Sequence, residues 1–287
     1  MSSLRNVLTA AAERLQGSSA SAQTDAEYLL LHVLQKDYFW LRTHEQEDLS
    51  LQHVTQFNEL LQRRLKGEPV AYLVGSRGFW SLELKINHHT LIPRPETELL
   101  VEAALEKIPP HESLKILDLG TGSGAIALAI KKERPLCAVT AVDASVGALQ
   151  IAKENATALK LGIEFLHSDW FSALSERCFD VVLANPPYIA ADDPHLQQGD
   201  LRFEPVSALA SAAQGLQDIQ RISAAAPAWL SVGGWLMLEH GYDQGEAVRK
   251  ILLQNNFSEI TTRRDLSGHE RVTLGRNALP EYLHADR

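Results

Sequence analysis

Residues 185–188 read Asn-Pro-Pro-Tyr and follow four apolar residues, Val181 to Ala184, in "DVVLANPPYIAADDP". Two adjacent prolines fix φ and remove two N–H donors, so they stop a helix or strand abruptly. Their carbonyls remain as acceptors. Asn185 is uncharged and no general base, but its amide supplies an acceptor oxygen and a donor NH₂. A rigid, acceptor-rich loop suits holding an –NH₂ group by both hydrogens, from the Asn185 oxygen and a nearby backbone carbonyl. Tyr188 offers an aromatic face to a flat group. Asn185, Pro186, Pro187 and Tyr188 are therefore expected to grip a planar amino-bearing group, either an amide or a nucleobase.

A second constellation lies upstream. "DLGTGSG", residues 118–124, separates an apolar run from a helical one. Glycines there let the backbone turn tightly and approach a ligand with no Cβ in the way, and the helix start offers free N–H groups. Gly120, Gly122 and Ala125 also fit the dinucleotide fingerprint. About 20 residues past the glycines, Asp143 ends the next apolar run, where an acidic side chain can accept both hydroxyls of a ribose. That serves NAD and S-adenosylmethionine equally, and Asp143 would also cap a helix starting at Ala144. In "SDW", Trp170 can stack on an adenine and Asp169 can accept from its amino group, although tryptophans commonly pack in cores. Gly120, Asp143, Trp170 and Asn185 all follow the C-terminal ends of successive strand-like segments, the edge where open α/β sheets bind ligands.

The elements that must position these residues fall into two styles. Up to about residue 75 the chain reads as helices. Leu4, Val7, Leu8, Ala11 and Leu15 share one stripe, as do Val54, Phe57, Leu61 and Leu65, and "TDAE" at residues 24–27 fits a capping box with Thr24 as cap. Such a bundle either only packs or also docks a partner. Residues 76–98 change character. "LELKI" alternates like a strand of a hairpin linker, and Pro95, Glu96 and Glu98 suit the first turn of a helix. From Leu114 onward, apolar runs ("LKILDLG", "CAVTAVD", "IEFLHSD", "FDVVLAN", "GWLMLEHG", "HERVTLGR") alternate with helical segments. This pattern predicts a doubly wound, mostly parallel sheet whose last strands are free to run antiparallel. The expected domains are a helical one over 1–75, a hairpin linker over 76–98 and a catalytic one over 99–287.

Composition sets bounds. The chain has 287 residues, 45% apolar and 22% charged, with a net charge of −9, so it is not a generally basic nucleic-acid binder. Two cysteines, Cys137 and Cys178, lack metal-ligand spacing and fit a reducing compartment. No apolar run approaches the ~18 residues of a membrane span, and the N-terminus lacks a signal-peptide pattern. A cytoplasmic protein is expected. Among the 11 histidines, neither His88-His89, His111 nor His240 has carboxylate or Cys neighbours at ligand spacing, so no metal is expected. "ADDPH" at residues 191–195 reads as a solvated loop and "TRRD" at 262–265 as a surface turn.

"NPPY" after one strand and "DLGTGSG" after another resemble the amino-methyltransferases that use S-adenosylmethionine. The match goes further: "RGFWSLELKINHHTLIPRPETELLV" before the glycine loop, with "NPPYI" and "RFEPVSAL" after it, is similar to the bacterial peptide chain release factor N5-glutamine methyltransferases. "LIPRPETE" and "NPPYI" together are specific; "GTGSG" alone is not. The resemblance implies a class I methyltransferase fold with a seven-stranded sheet and a small all-α N-terminal domain. It implies S-adenosylmethionine as cofactor, with Gly120, Thr121, Gly122, Ser123 and Gly124 around its methionine part, Asp143 on the ribose and Trp170 on the adenine side. Asn185 would touch cofactor and substrate, and residues 185–188 would hold the glutamine of the Gly-Gly-Gln loop of a release factor, so that methylation modulates translation termination and the helical domain and linker dock that factor. It would act as a monomer with no direct DNA or membrane contact. Three other readings share parts of the pattern. A DNA adenine or cytosine amino-methyltransferase would use the same bracket on a flipped base. An NAD-dependent oxidoreductase would use the glycines and Asp143 but give Asn-Pro-Pro-Tyr no role. A non-catalytic factor-binding module would need neither site.

Overall fold

The computed structural model describes residues 3–175 and 178–278. Their contacts divide the chain into two units: Met1–Ser76 with Gln197–Phe203, and Arg77–Leu196 with Glu204–Arg287.

In the first unit, helix α1 (Leu4–Leu15) forms because Leu4, Leu8, Ala11 and Leu15 recur at helical spacing and bury together. Ser3 caps it, accepting from the Asn6 N–H. Helix α2 (Ala22–Leu34) starts earlier than the capping box predicts: Thr24 lies inside it and does not cap. The Ser19 and Ser21 hydroxyls donate to Asp25 at 2.7 and 2.8 Å, so the serine-rich approach orders this helix start and needs no box at Thr24. Short helix α3 (Tyr38–Thr43) is capped by Asp37, α4 (Leu51–Leu65) by Ser50, and α5 (Val70–Val74) ends at left-handed Gly75. Phe57 and Leu61 of α4 are buried against leucines of α1 and α2. Arg64 is buried in an ion pair with Asp25 at 2.7 Å and reaches Asp200, in the 197–203 segment, at 3.0 Å.

In the second unit, β1 (Ser76–Phe79) and β2 (Leu82–Lys85) form a two-stranded sheet. Asn155 ties that sheet to the rest of the unit: it exchanges both amide bonds with Lys85, at 2.8 and 2.9 Å, and donates to the Ser123 carbonyl at 2.9 Å. A 3-10 turn at Pro95–Thr97 leads into helix α6 (Glu98–Lys107). Alternation then follows: β3 (Lys115–Leu119), α7 (Ala125–Glu133), β4 (Ala138–Asp143), α8 (Val146–Leu159), β5 (Glu164–His167) and β6 (Phe179–Ala184). Beyond it, β7 (Ile189–Ala190) pairs in parallel with β8 (Ala210–Ser211), flanked by helical turns α9 (Val206–Leu209) and α10 (Ala212–Gly215). Helix α11 (Gln217–Ala225), β9 (Leu230–Glu239), α12 (Gly245–Gln254), β10 (Phe257–Arg264) and β11 (Glu270–Asn277) complete it.

Seven strands make one sheet in the order β10-β11-β9-β6-β3-β4-β5. The inner pairs are parallel, while β11 runs antiparallel to both β9 and β10. Successive residues of the central strands bury on opposite faces. Ile116, Val181, Leu183 and Met237 pack with α6 and α7, whereas Leu117, Val182, Ala184 and Leu238 pack with α11 and α12. Burial on both sides is why these strands read as continuous apolar runs. Strand β10 does not read so. "FSEITTRR" is an edge strand with Ser258, Glu259, Thr261, Arg263 and Arg264 exposed, so its Thr262, Arg263 and Arg264 are strand residues and not the expected surface turn. Only Asp265 sits in the turn to β11, where it accepts from the Ser267 and His269 N–H groups.

Candidate active site

Because β3, β4, β5 and β6 are parallel neighbours, their C-terminal ends share one edge, and the strand order reverses beside β3. A cavity of about 530 Å³ opens there, within the range of small-molecule sites. Its walls include Gly120, Gly122, Asp143, Trp170, Asn185 and Pro187 from the residues picked by sequence, together with His88, His89, Asp169, Asp218 and Arg221.

The glycine loop is held by the neighbouring strand. Gly120 and Thr121 N–H both donate to the Val142 carbonyl at 2.9 Å. Gly120, Gly122 and Gly124 all take positive φ (72°, 58° and 86°), a region costly for residues with a Cβ. At Gly124 a Cβ would also lie 2.9 Å from Leu128 Cδ1, so this glycine lets α7 start tight against its own core. At Gly122 a Cβ would meet nothing within 4 Å. Thr121 and Ser123 are buried: Thr121 Oγ1 donates to Asp118 at 2.6 Å, and Ser123 takes the Asn155 bond. Burial raises the Asp118 carboxyl to about 7, against the Thr121 hydrogen bond.

Asp143 accepts from the Gly122 N–H and the Ser145 N–H, both at 2.8 Å. The N-cap of α8 is Ser145, whose hydroxyl accepts from Ala148, so Asp143 does not serve as that cap. Each Asp143 oxygen retains lone pairs beyond its backbone bond. Burial raises its pKa, opposed by the two N–H donors. Trp170 has φ of 48°, a strained value for a bulky residue. Its Nε1 donates to Asp218 at 3.2 Å, and its ring lies over Gly120, 3.2 Å from where a Cβ would stand. Asp169 is paired with Arg221 at 2.8 Å at the cavity wall. The rings of His88 and His89 sit 4.0 Å apart. Orphaned carboxylate lone pairs, a Cβ-free cradle and an aromatic wall fit a nucleoside bearing a short flexible tail.

Asn185 sits at the end of β6, half-buried, and its Nδ2 donates to Thr97 Oγ1 at 3.1 Å. Pro186 and Pro187 are buried. Tyr188 departs from the expected cavity-facing role. Its residue is absent from the cavity wall, and burial, with the Glu239 charge nearby, raises its pKa. Its carbonyl accepts from Gln244 Nε2 at 3.0 Å. Asp218 and Arg221 carry no motif of their own in the sequence, and Thr97 stands inside "LIPRPETE" with nothing that sets it apart there; only the fold brings them here.

Two family models match the sequence: the PrmC N-terminal domain over residues 6–75 and the methyltransferase small domain over residues 95–200. Among curated relatives, the release factor glutamine methyltransferase of Xylella fastidiosa (strain 9a5c) is 49% identical over 94% of this chain and 96% of its own. That of Pseudomonas aeruginosa is 51% identical over 90% and 93%, and that of Escherichia coli (strain K12) is 47% identical over 94% and 97%. Among solved structures, a methyltransferase from Pyrococcus furiosus aligns over 77% of this chain and all of its own, with a TM-score of 0.54 at 15% identity. The hMettl16 catalytic domain aligns over 90% and 92% with a TM-score of 0.57, also at 15% identity. These two show the methyltransferase fold.

Proposed function

The chain belongs to the release factor glutamine methyltransferase family, and we propose on that premise that it methylates the side-chain amide nitrogen of the glutamine in the Gly-Gly-Gln loop of a peptide chain release factor. The cofactor is S-adenosylmethionine, which when bound supplies a methyl group made electrophilic by its sulfonium. The single observation that carries the reading is the placement of Asn185. It shares a cavity with Gly120, Asp143 and Trp170, and its NH₂ is held by Thr97, which leaves Oδ1 as the free end of the amide.

An amide nitrogen is a poor nucleophile because its lone pair is delocalised. Asn185 Oδ1 and the Pro186 carbonyl accept its two hydrogens, build electron density on nitrogen and favour a pyramidal form aimed at the methyl group. When bound, the cofactor would supply its methyl group to that nitrogen and keep the S–C electron pair as a thioether, and the surplus nitrogen proton would pass to water. The acceptors stabilise the charge that develops on nitrogen. Rigid prolines hold the amide in line, so positioning supplies much of the acceleration. Asp143 takes the ribose hydroxyls, Trp170 the adenine side, and residues 120–124 the amino-acid tail. The helical domain, residues 1–75, docks the factor. A monomeric state and a cytoplasmic setting are part of the same proposal, the second because the substrate is a translation factor.

Incubation with labelled S-adenosylmethionine, a purified release factor, and the same factor with its Gly-Gly-Gln glutamine replaced tests this. Label is expected on the first factor alone. Label on both, or on neither, overturns it.

A further inference from the structure

Asp218 stands in the first turn of α11, yet α11 has no side-chain cap, and the Asp218 side chain is only 17% exposed. Its carboxylate is turned to the cavity wall instead. Oδ1 accepts from Trp170 Nε1 at 3.2 Å and from Arg221 at 3.4 Å, and Oδ2 accepts from the Ser211 hydroxyl at 2.7 Å. Ser211, 4% exposed, takes the Asp218 N–H in return at 3.3 Å. The carboxylate therefore cannot swing away without stranding a buried hydroxyl. Ser211 lies on β8, whose partner β7 follows directly on Tyr188. Trp170 is held along its length. Its carbonyl accepts from the buried Ser168 hydroxyl at 2.8 Å, which steadies the left-handed backbone. Its indole nitrogen is tied to Asp218, and at the opposite edge of the ring Cζ3 lies 3.2 Å from where a Gly120 Cβ would stand. A ring pinned at opposite edges does not turn about its side-chain bonds.

We infer that Asp218 is a positioning residue for the cofactor: by holding the Trp170 indole against the glycine loop, it sets the plane of the adenine wall before S-adenosylmethionine arrives. The inference rests on the placement of Trp170 on the adenine side given above. The gain is preorganisation. An unpinned indole must be ordered when adenine stacks on it, and that cost is taken from affinity. Charge is a separate matter. Asp218 also pairs with Arg221, which bridges to Asp169 at 2.8 Å. Positioning needs an acceptor oxygen on residue 218, whereas attraction of a sulfonium needs its negative charge. The two roles come apart in Asp218→Asn, whose amide oxygen still accepts from Trp170 and whose NH₂ can donate to Ser211 Oγ. They come apart again in S-adenosylhomocysteine, which keeps the adenine and lacks the sulfonium.

Titration calorimetry of the full chain with both ligands, and no release factor, tests it. Asp218→Ala is expected to weaken S-adenosylmethionine and S-adenosylhomocysteine alike, by about 10-fold, the scale of one hydrogen bond to a charged group. Asp218→Asn keeps both within a few-fold of wild type. Trp170→Phe keeps a ring and removes the N–H, so adding Asp218→Ala to it costs less than about 2-fold more, as for two residues that act through one contact. A second readout needs no ligand. The Trp170 indole N–H signal in ¹⁵N spectra, assigned by its loss in Trp170→Phe, exchanges slowly with solvent in wild type and Asp218→Asn, and fast in Asp218→Ala. A fully multiplicative double mutant, a loss confined to S-adenosylmethionine, or an indole signal unchanged in Asp218→Ala overturns the inference. Methyl transfer enters neither readout, so a release factor left unlabelled strikes the proposed function alone.

Discussion

Gly215 carries a prediction whose size follows from one distance. It is buried in α10 with φ of 80°, and a Cβ built on it would lie 2.0 Å from the Tyr188 carbonyl oxygen and 2.8 Å from Gln244 Nε2. Real Cβ atoms do not approach within 3.0 Å, so in Gly215→Ala the two must part by at least about 1 Å. The Gln244 bond that clamps Tyr188 is lost in the same movement. Pro186 and Pro187 cannot absorb the shift by turning φ, so it passes to Asn185. Misplacement of that size costs about 10²-fold in rate. Gly268→Ala is the control: its φ is 83° and nothing lies within 4 Å of the new Cβ. Both variants carry the left-handed backbone cost of about 1–2 kcal/mol, but only one carries the displacement. The assay is kcat for labelled methyl transfer, beside the Kd for S-adenosylmethionine by titration calorimetry and a thermal melt. Gly215→Ala is expected to lose about 10²-fold in kcat with cofactor affinity within a few-fold, while Gly268→Ala keeps the wild-type kcat. Equal kcat in the two variants would refute the claim that the rigid loop positions the acceptor.

Other expectations follow from the same geometry. Asn185→Ala leaves S-adenosylmethionine binding nearly intact and abolishes transfer, read by calorimetry and label incorporation. Asp143→Asn keeps one acceptor oxygen of two and weakens cofactor affinity by about 10- to 100-fold in calorimetry, the worth of a hydrogen bond to a charged group. Arg64→Ala leaves Asp25 buried without its cation and destabilises the helical unit by about 3–5 kcal/mol, seen in urea unfolding and in faster amide exchange across 197–203. Stability depends on pH through Glu239 and Asp118, both raised to about 7 by burial. Their folded pKa lies above the unfolded one, so their contribution is full below the ordinary carboxylate range and is lost as pH rises through about 7. Urea unfolding of Glu239→Gln should therefore lose less between pH 5 and 8 than wild type, by about 2–3 kcal/mol.

The legible parts of this chain were those where local chemistry and the fold agree. Strands β3, β4, β6 and β9 bury both faces, so their apolar runs announce them. The glycines of residues 120–124 need positive φ, so their type alone marks the turn. Strand β10 was illegible because an edge strand carries its polar residues outward, and "FSEITTRR" has the composition of a loop. Thr24 misled because a capping box is a pattern of residue types, whereas the helix start is set by Ser19 and Ser21 around an Asp25 already committed to Arg64. Tyr188 misled differently. Its position in the motif suggested a stacking face, but in the fold it is absent from the cavity wall, and burial raises its pKa beside Glu239, 51 residues further along the chain. Thr97 lies within "LIPRPETE", yet nothing in its type marks it as the partner of Asn185, 88 residues further along, to which only the fold brings it.

Charge at the cavity separates the remaining readings of the Asn-Pro-Pro-Tyr bracket better than the bracket does. An amide and an extruded base present the same two hydrogens to Asn185. A nucleic acid, however, brings a phosphate backbone whose binding rests on cations. The cavity wall carries Asp143, Asp169 and Asp218 against one arginine, Arg221, and Arg221 is already paired with Asp169 and Asp218. The chain as a whole carries a net charge of −9. Such a wall repels a polyanion and favours a cationic sulfonium. It also favours an acceptor delivered on an uncharged loop, which a Gly-Gly-Gln segment is. An acidic cavity and membership of the release factor glutamine methyltransferase family therefore point to one substrate class from two independent directions, where the Asn185 bracket alone fits both.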